Sequence, residues 1–590
     1  MSDGRVLPIN ASAGVITFKV LVDGKEVPNS YEFLSITIDK VINRIPTARL
    51  VLKDGSAAEE DFPISNAKTL IPGNKIEIKA GYDSKDKTIF KGVVIKHGIQ
   101  IREGAGPVLV VECKDEAFKM TIGRKNKYFM KKKDSDVISG IIADNGLKKK
   151  VKATKVKHDE LIQYYATDWD FMLSRAEMNG MVVVASDGEV SVAPPEASGS
   201  PVLSLRYGGV LFEFEAEVDA RYQYKKVTAS SWDYKTQKIL EKSKSNPSSN
   251  KQGNLKESKL ADVAGLSDYE LRHSGKVIGE ELTAWADAAM VKSNLAKVRG
   301  RAKIQGYPEL IPGDVVEFQG VGDRFNGKAY VAGVRQELAD GTYYTHIQFG
   351  QSPDWFYREF DVVDAPAAGL LPGINGLQIG KVTKLEGDPD GEDRIQVVLP
   401  IIDGKEKGIW ARLASLDAGK DRGYVFRPEI DDEVIVGFIN DDPRDAVVLG
   451  MLHSSKLKAP IPPSDKNHEK GLVTRSKMRV WFDDEKKVMT FDTPAGNMIE
   501  ISEDTKSITI QDQNKNKIVL NDKGIEISTP KDINLKATGK IIAKATQDFM
   551  AEGLKVGIKA QTQLKAEGGA GAELSTSAIA IIKGSLVKIN

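Results

Sequence analysis

The sequence predicts a mainly β protein with a few helices, ending in an intertwined trimeric β-helix. Three observations predict it. Apolar residues alternate with polar ones over long stretches, as in Ile16, Phe18, Val20 and Val22, and side chains two apart share one face of a strand. A four-residue Leu-Ile-Pro-Gly segment occurs twice, at Leu70–Gly73 and Leu310–Gly313, each time before a strand pattern. From Ile533 onward, apolar-x-apolar pairs recur at a nearly fixed step: Ile533/Leu535, Ile541/Ala543, Phe549/Ala551, Val556/Ile558, Leu564/Ala566, Ala572/Leu574, Ile579/Ile581 and Val587/Ile589. Their starts advance by 8, 8, 7, 8, 8, 7 and 8 residues. A less regular version runs upstream, at Ile499/Ile501, Ile508/Ile510, Ile518/Leu520 and Ile525/Ile527.

The repeat reads as a β-solenoid of short strands. One copy offers few inward side chains per strand, many of them Ala. Each buried aliphatic chain contributes about 1.5–3 kcal/mol, against about 1–2 kcal/mol of backbone entropy per ordered residue. Three chains wound about one axis resolve the deficit, so a homotrimeric needle is expected. The alternative is a single-chain β-helix of the carbohydrate-lyase kind.

The 590 residues carry 84 Lys plus Arg and 83 Asp plus Glu. Such a balance argues against a general nucleic-acid binder, which needs a basic footprint. The single cysteine, Cys113, sits in an apolar run and is expected in a core; it permits no intramolecular disulfide. The N-terminus lacks a basic segment followed by an apolar stretch, so no signal peptide is expected. No apolar run approaches a membrane-spanning length. Synthesis in the cytoplasm is therefore expected, with transport by another route if the protein acts outside the cell.

Taken in order, residues 14–52 read as strands: Asp23-Gly24 marks a hairpin, Ile36 and Ile38 belong to the next strand, and Ala48, Leu50 and Leu52 to the one after. Strands continue through 70–120. A helix is predicted from Ser135 to Asn145, closed by Gly146, and another from Trp169 to Asn179, with Thr167 and Asp168 as cap candidates and Gly180 beyond its end. The polar stretch 243–260 reads as an exposed loop, and Glu280 to Val298 as a helix. The two Leu-Ile-Pro-Gly segments, each followed by a strand, a turn and a second strand (Phe90 to Ile95, Ala329 to Val334), point to a duplicated β domain. The expected division is a head over 1–363, with related β domains at about 14–125 and 276–363 and an α+β region at 126–275. Then come a linker at 364–378, a compact β unit at 379–455, and a proline-rich link and needle at 456–590.

The compact unit contains Gly380-Lys-Val382, Asp388-Pro-Asp-Gly391, Arg394 to Pro400, Trp410-Ala-Arg412, Gly423, Phe426-Arg-Pro-Glu429, Asp432 to Phe438, Asp442-Pro443 and Val448-Leu-Gly450. It resembles the oligonucleotide/oligosaccharide-binding (OB) barrel of VgrG-type spikes and related tailed-phage spikes. Ala284-Trp-Ala-Asp-Ala288 and Pro312-Gly-Asp314 resemble the hub domain of that family. The resemblance implies duplicated tube-like β-barrel head domains that dock on a sixfold inner tube and baseplate, an OB-fold neck, and a membrane-piercing needle. It also implies a small PAAR-repeat tip protein and a contractile injection machine, of the type VI secretion or extracellular phage-tail-like kind, that delivers effectors. No lysozyme domain stands between barrel and needle, where Lys456 to Pro463 lies, and no histidine follows His468. Neither muralytic activity nor a tip metal is expected, and no cofactor.

An OB barrel alone would suggest nucleic-acid or sugar binding, and Trp410, Arg412, Arg422 and Arg427 form an aromatic-basic candidate face. The same stretch carries Glu429, Asp431, Asp432, Glu433, Asp441 and Asp442, so packing for Trp410 and salt bridges for the arginines are the plainer expectation. Gly322 to Lys328 fits seven positions of the phosphate-loop pattern, but Ala329 replaces the hydroxyl residue and a strand follows, so a hairpin loop is expected. Asp388, Asp390, Glu392 and Asp393 read as a solvated turn rather than a calcium loop. The pattern shows no catalytic set, and a non-enzymatic role is expected; the rivals are a β-solenoid carbohydrate-active enzyme and an OB-fold nucleic-acid-binding protein. A solenoid that stops at Val587, Lys588, Ile589 and Asn590 leaves an open edge and the end of an apolar core. These four residues are the expected docking site of the tip protein.

Overall fold

The computed structural model describes residues 14–246, 252–358, 362 and 364–589. The first six long strands are Ile16–Val22, Phe33–Val41, Thr47–Lys53, Lys75–Tyr82, Lys87–Arg102 and Ala105–Lys114. A second set of six is Leu203–Arg206, Leu211–Val218, Val298–Gln305, Val315–Gln319, Gly327–Ala339 and Thr342–Phe349. Numbered one to six in chain order, both sets adopt the spatial order one, four, five, six, three, two. The duplication thus extends from a four-residue segment to a shared topology. The sets differ at one place: strands one and four are antiparallel in the first and parallel in the second. Strand two of the first set pairs with strand five of the second, Val41 opposite Gly333 through Ser35 opposite Ala339, and fuses both into one 13-stranded sheet.

The repeated segment explains why both sets turn alike. Gly73 and Gly313 have φ of 103° and 99°, a left-handed conformation that favours glycine. Gly73 donates its N–H to the Val94 carbonyl at 2.9 Å, and Gly313 to that of Val331 at 2.8 Å. Asn74 and Asp314 each donate N–H back to Ile71 and Ile311, at 3.3 Å in both. Leu70 and Leu310 anchor each turn in a core, while Ile71 and Ile311 stay exposed.

Strands one and two of the second set, at 203–206 and 211–218, fall in the segment that the sequence reading treats as an intervening α+β region. Between the sets lie helices Asp134–Asp144 and Asp168–Met178 with their own apolar core. Both end as expected, on Asn145 and Asn179 with Gly146 and Gly180 at positive φ. Thr167 caps the second, accepting the Asp170 N–H at 3.0 Å. The third helix runs Gly279–Leu295, shorter than expected, because Val298 already belongs to a strand paired on both sides. The expected loop at 243–260 is corrected in part. Lys238–Ser245 is a strand that pairs with Lys226–Asp233, Glu257–Ala261 is a short helix, and 247–251 lie outside the described residues. Cys113 is fully buried, and burial pushes its thiol pKa well above the ordinary range. Among the described residues no helix is long and apolar enough to cross a membrane.

Candidate functional site: neck barrel and tail

Five strands close the neck: Gln378–Lys384, Ile395–Val398, Ile409–Leu413, Ala446–Met451 and Glu433–Phe438, in that order around the barrel. Ile409–Leu413 and Ala446–Met451 run parallel, and the other pairs antiparallel. Val382, Ile395, Val397, Ala411, Val434, Val436 and Val448 fill its interior. Gly380 is required by close approach, since a Cβ there would lie 2.5 Å from Val397 Cγ1.

The outer wall shows what the candidate aromatic-basic face does. Ile409, Ala411 and Leu413 point inward, so strand parity sends Trp410 and Arg412 outward. Trp410 is half-buried on that wall and is not part of the barrel core. Arg422 pairs with Asp417 at 2.7 Å, and Arg427 pairs with Asp393. Asp388 accepts the backbone N–H groups of Asp390, Glu392 and Arg394 and the Arg394 guanidinium. The Arg394 hydrogen bonds hold the Asp388 carboxyl far below the usual carboxylate range. Its oxygens are therefore committed to closing the turn rather than free for a cation.

The phosphate-loop look-alike is a hairpin between Val315–Gln319 and Gly327–Ala339. Phe325 and Asn326 both donate N–H to the Gly322 carbonyl, and Lys328 reaches the Gly199 carbonyl at 2.9 Å. The loop leads into the strand Gly327–Ala339 rather than into a helix, so it lacks the helix N-terminus that a phosphate loop provides. Among the described residues no cluster of three or more His, Cys, Asp or Glu is placed to hold a metal ion.

Beyond the link, seven strands from Glu469–Val473 to Gly524–Ser528 form an antiparallel meander. It includes the upstream apolar pairs, which the sequence reading took for irregular solenoid rungs. Ile499, Ile501, Ile508, Ile510, Leu520, Ile525 and Ile527 stay exposed on it.

After Ser528 the backbone changes character. No strand is formed among the described residues from 529 to 589. Extended segments alternate with backbone bends that begin at 538, 546, 554, 561, 569, 577 and 585. The bends fall between the apolar pairs and keep their step of seven or eight residues. The period expected from the sequence is thus kept by the bends, but among the described residues these segments form no strand pairing within one chain. Phe549 is 72 %, Leu564 63 % and Leu574 81 % exposed. At the end, Val587 and Ile589 are also exposed, and Asn590 lies outside the described residues.

Comparison with known families matches residues 12–340, more than half of the chain, to a family described as the Alg8 N-terminal domain. The sequence reading did not name that family. Residues 378–453 match the type VI secretion system/phage-baseplate injector OB domain, and 488–544 the phage baseplate V C-terminal trimerisation domain. Similar solved structures include a 43 kDa tail protein of prophage MuSo2 from Shewanella oneidensis, 11 % identical, covering 57 % of this chain and 98 % of that one at a TM-score of 0.44. Another is the E. coli c3393 protein, described as a component of the type VI secretion system, 13 % identical over 74 % of this chain and 100 % of that one at 0.38. A third is a PdpA-VgrG complex in its lidless form, 10 % identical over 87 % of this chain and 98 % of that one at 0.37. The chain belongs to the Alg8 N-terminal domain family and carries, behind that domain, segments matching a type VI secretion system/phage-baseplate injector OB domain and a phage baseplate V C-terminal trimerisation domain.

Proposed function

We propose that the protein is a non-enzymatic homotrimer that transmits thrust from an inner tube, through head and neck, to a membrane-piercing needle. One observation carries this reading: the tail bends with the period of its apolar pairs, yet among the described residues leaves those pairs exposed and forms no strand within the chain. Unpaired backbone groups and exposed apolar rows are stable only when another surface covers them. Two more copies supply that surface with the same period. The match of 488–544 to a trimerisation domain supports it. Two six-stranded units of equal strand order per chain would give six such units in the trimer, which suits an inner tube of sixfold symmetry and its baseplate.

A PAAR-type tip protein caps the open end at Val587, Lys588, Ile589 and Asn590, and effectors travel with the spike. Synthesis in the cytoplasm is followed by assembly into an injection particle. The exposed apolar end is what such a cap would cover.

Light scattering on the full chain and on a chain ending at Pro463 tests the trimer. A mass near three times 64.5 kDa for the full chain, falling to one chain on truncation, is expected. A monomeric full chain would return the reading to a self-closing solenoid of the carbohydrate-enzyme kind. Deleting residues 586–590 is expected to abolish co-purification of the tip protein.

A further inference from the structure

The region between the two six-stranded units carries charge that the rest of the chain does not. Nine lysines lie between residues 131 and 157, in a chain whose formal net charge is +1. Among the described residues none of these nine ammonium groups is in an ion pair. Lys125 and Lys127, just upstream, are paired with Asp168 and Asp144, and the ribbon's second strand also carries Asp159 and Glu160. Three of the nine, Lys131, Lys132 and Lys133, end the strand Lys125–Lys133, and Lys157 begins the strand Lys157–Ala166 that pairs with it. Lys133 stands directly opposite Lys157, a like-charge cross-strand pair that destabilises an isolated ribbon.

These two strands pair only with each other among the described residues, so both outer edges lack a strand partner. Eight of the nine residues of Lys125–Lys133 are not buried; the ninth, Phe129, and Leu161 opposite it seat one face of the ribbon on the helix core. One face is apolar: Tyr128 lies opposite Ile162, with Met130 and Tyr164 two residues along on the same face, all four exposed. A second basic edge lies nearby in sequence. Lys148–Val151 is the terminal strand of its three-stranded sheet, and Lys148, Lys149 and Lys150 are exposed.

We propose that this ribbon is a docking edge for an acidic β-strand of another protein. The added strand would satisfy the free N–H and C=O groups, place alternate apolar side chains against Tyr128, Met130, Ile162 and Tyr164, and present carboxylates to the lysines. Lysines on a free edge also keep identical copies from pairing there, which leaves the edge open to a partner of opposite charge. A lipid surface or a nucleic acid would meet the charge but supplies no backbone ladder for the edge.

The test uses the full-length protein and a short labelled peptide of alternating Glu and Val, followed by fluorescence anisotropy. Saturable binding is expected, weakened about tenfold or more by raising salt from 50 to 300 mM. N-methylation of alternate peptide amides, which leaves charge unchanged, is expected to abolish it. A triple variant, Lys131→Glu, Lys132→Glu and Lys157→Glu, is expected to bind about tenfold more weakly, with unchanged mass. Lys131→Gln, Lys132→Gln and Lys157→Gln serve the same comparison should charge reversal unfold the ribbon, with a smaller loss in the same direction. Equal binding of the N-methylated peptide, absence of peptide binding, or lysine-dependent binding of phosphatidylserine vesicles or polyphosphate in its place would each overturn the proposal. A changed mass in the variants would assign the edge to a second copy of this chain and overturn it likewise.

Discussion

Head and tail treat the same kinds of residue in opposite ways. In the head, Ile36, Ile38, Leu50, Leu52, Ile78 and Leu109 are almost completely buried within one chain. In the tail, Ile541, Phe549, Val556 and Ile558 occur with equal regularity and remain exposed. The difference is one of closure. Head strands are long, and the cross-chain distance is spanned by a 13-stranded sheet and several packed helices. Tail segments are short and regularly bent, and among the described residues none pairs with another segment of its own chain. Regular apolar spacing therefore sets which side chains share a face, and says nothing about which chain covers that face.

The comparison breaks first at Leu564. If tail rows are covered by other copies, Leu564→Glu brings three unpaired carboxylates to one level of the needle, where burial is costly. Loss of the trimer is expected, seen as a fall in mass toward 64.5 kDa, with the unfolding transition of the head unchanged. A full-mass assembly would show that Leu564 is not covered by its copies.

The head gives the converse test. Lys292 and Glu177 form a buried ion pair that joins helix Gly279–Leu295 to helix Asp168–Met178, with Lys292 5.3 Å from the centre of the Trp355 ring. Lys292→Ala strands the Glu177 carboxylate, a loss of about 3–5 kcal/mol. The low end is expected, because the Phe356 N–H still donates to Glu177 at 2.7 Å. Urea unfolding of the head reads this, and the mass of the assembly should not move.

The third expected effect is smaller and depends on pH. Burial would raise the Asp134 pKa, but the hydrogen bond and charge of Arg175, with Asn179 and His158, outweigh it and hold the carboxyl below its usual value. A lowered folded-state pKa gives stability that is present above the unfolded value of about 3.9 and lost as pH falls through the folded one. Head stability should therefore drop on the acid side of about pH 4. Asp134→Asn should flatten that slope, measured by urea unfolding across pH 2–6. An unchanged slope would place the acid sensitivity in other carboxylates.

Much of this architecture is legible in residues alone, for identifiable reasons. Helices at 134–144 and 168–178 end on Asn followed by Gly, and the Thr167 cap is a local interaction within three residues. The duplicated turn is legible because Leu, Pro and Gly have separate local tasks there: an anchor, a fixed φ and a positive φ. The outward position of Trp410 was not legible, because the parity of Ile409–Leu413 depends on barrel partners elsewhere in the chain. The basic ribbon escaped notice because its lysines are spread over two strands, and only their register brings Lys133 opposite Lys157.

By itself, then, the sequence determined the β character of the chain, its repeated turn, its helix ends, the barrel signature and the period of the tail. Each depends on residues within a few positions of one another. Only the tertiary structure decided that the second six-stranded unit begins at Leu203, that the two units share one sheet through Val41 and Gly333, and that 469–528 is a meander closed by its own hydrogen bonds while 529–589 is not. These depend on which distant edge a strand meets, and side-chain alternation is the same on either edge.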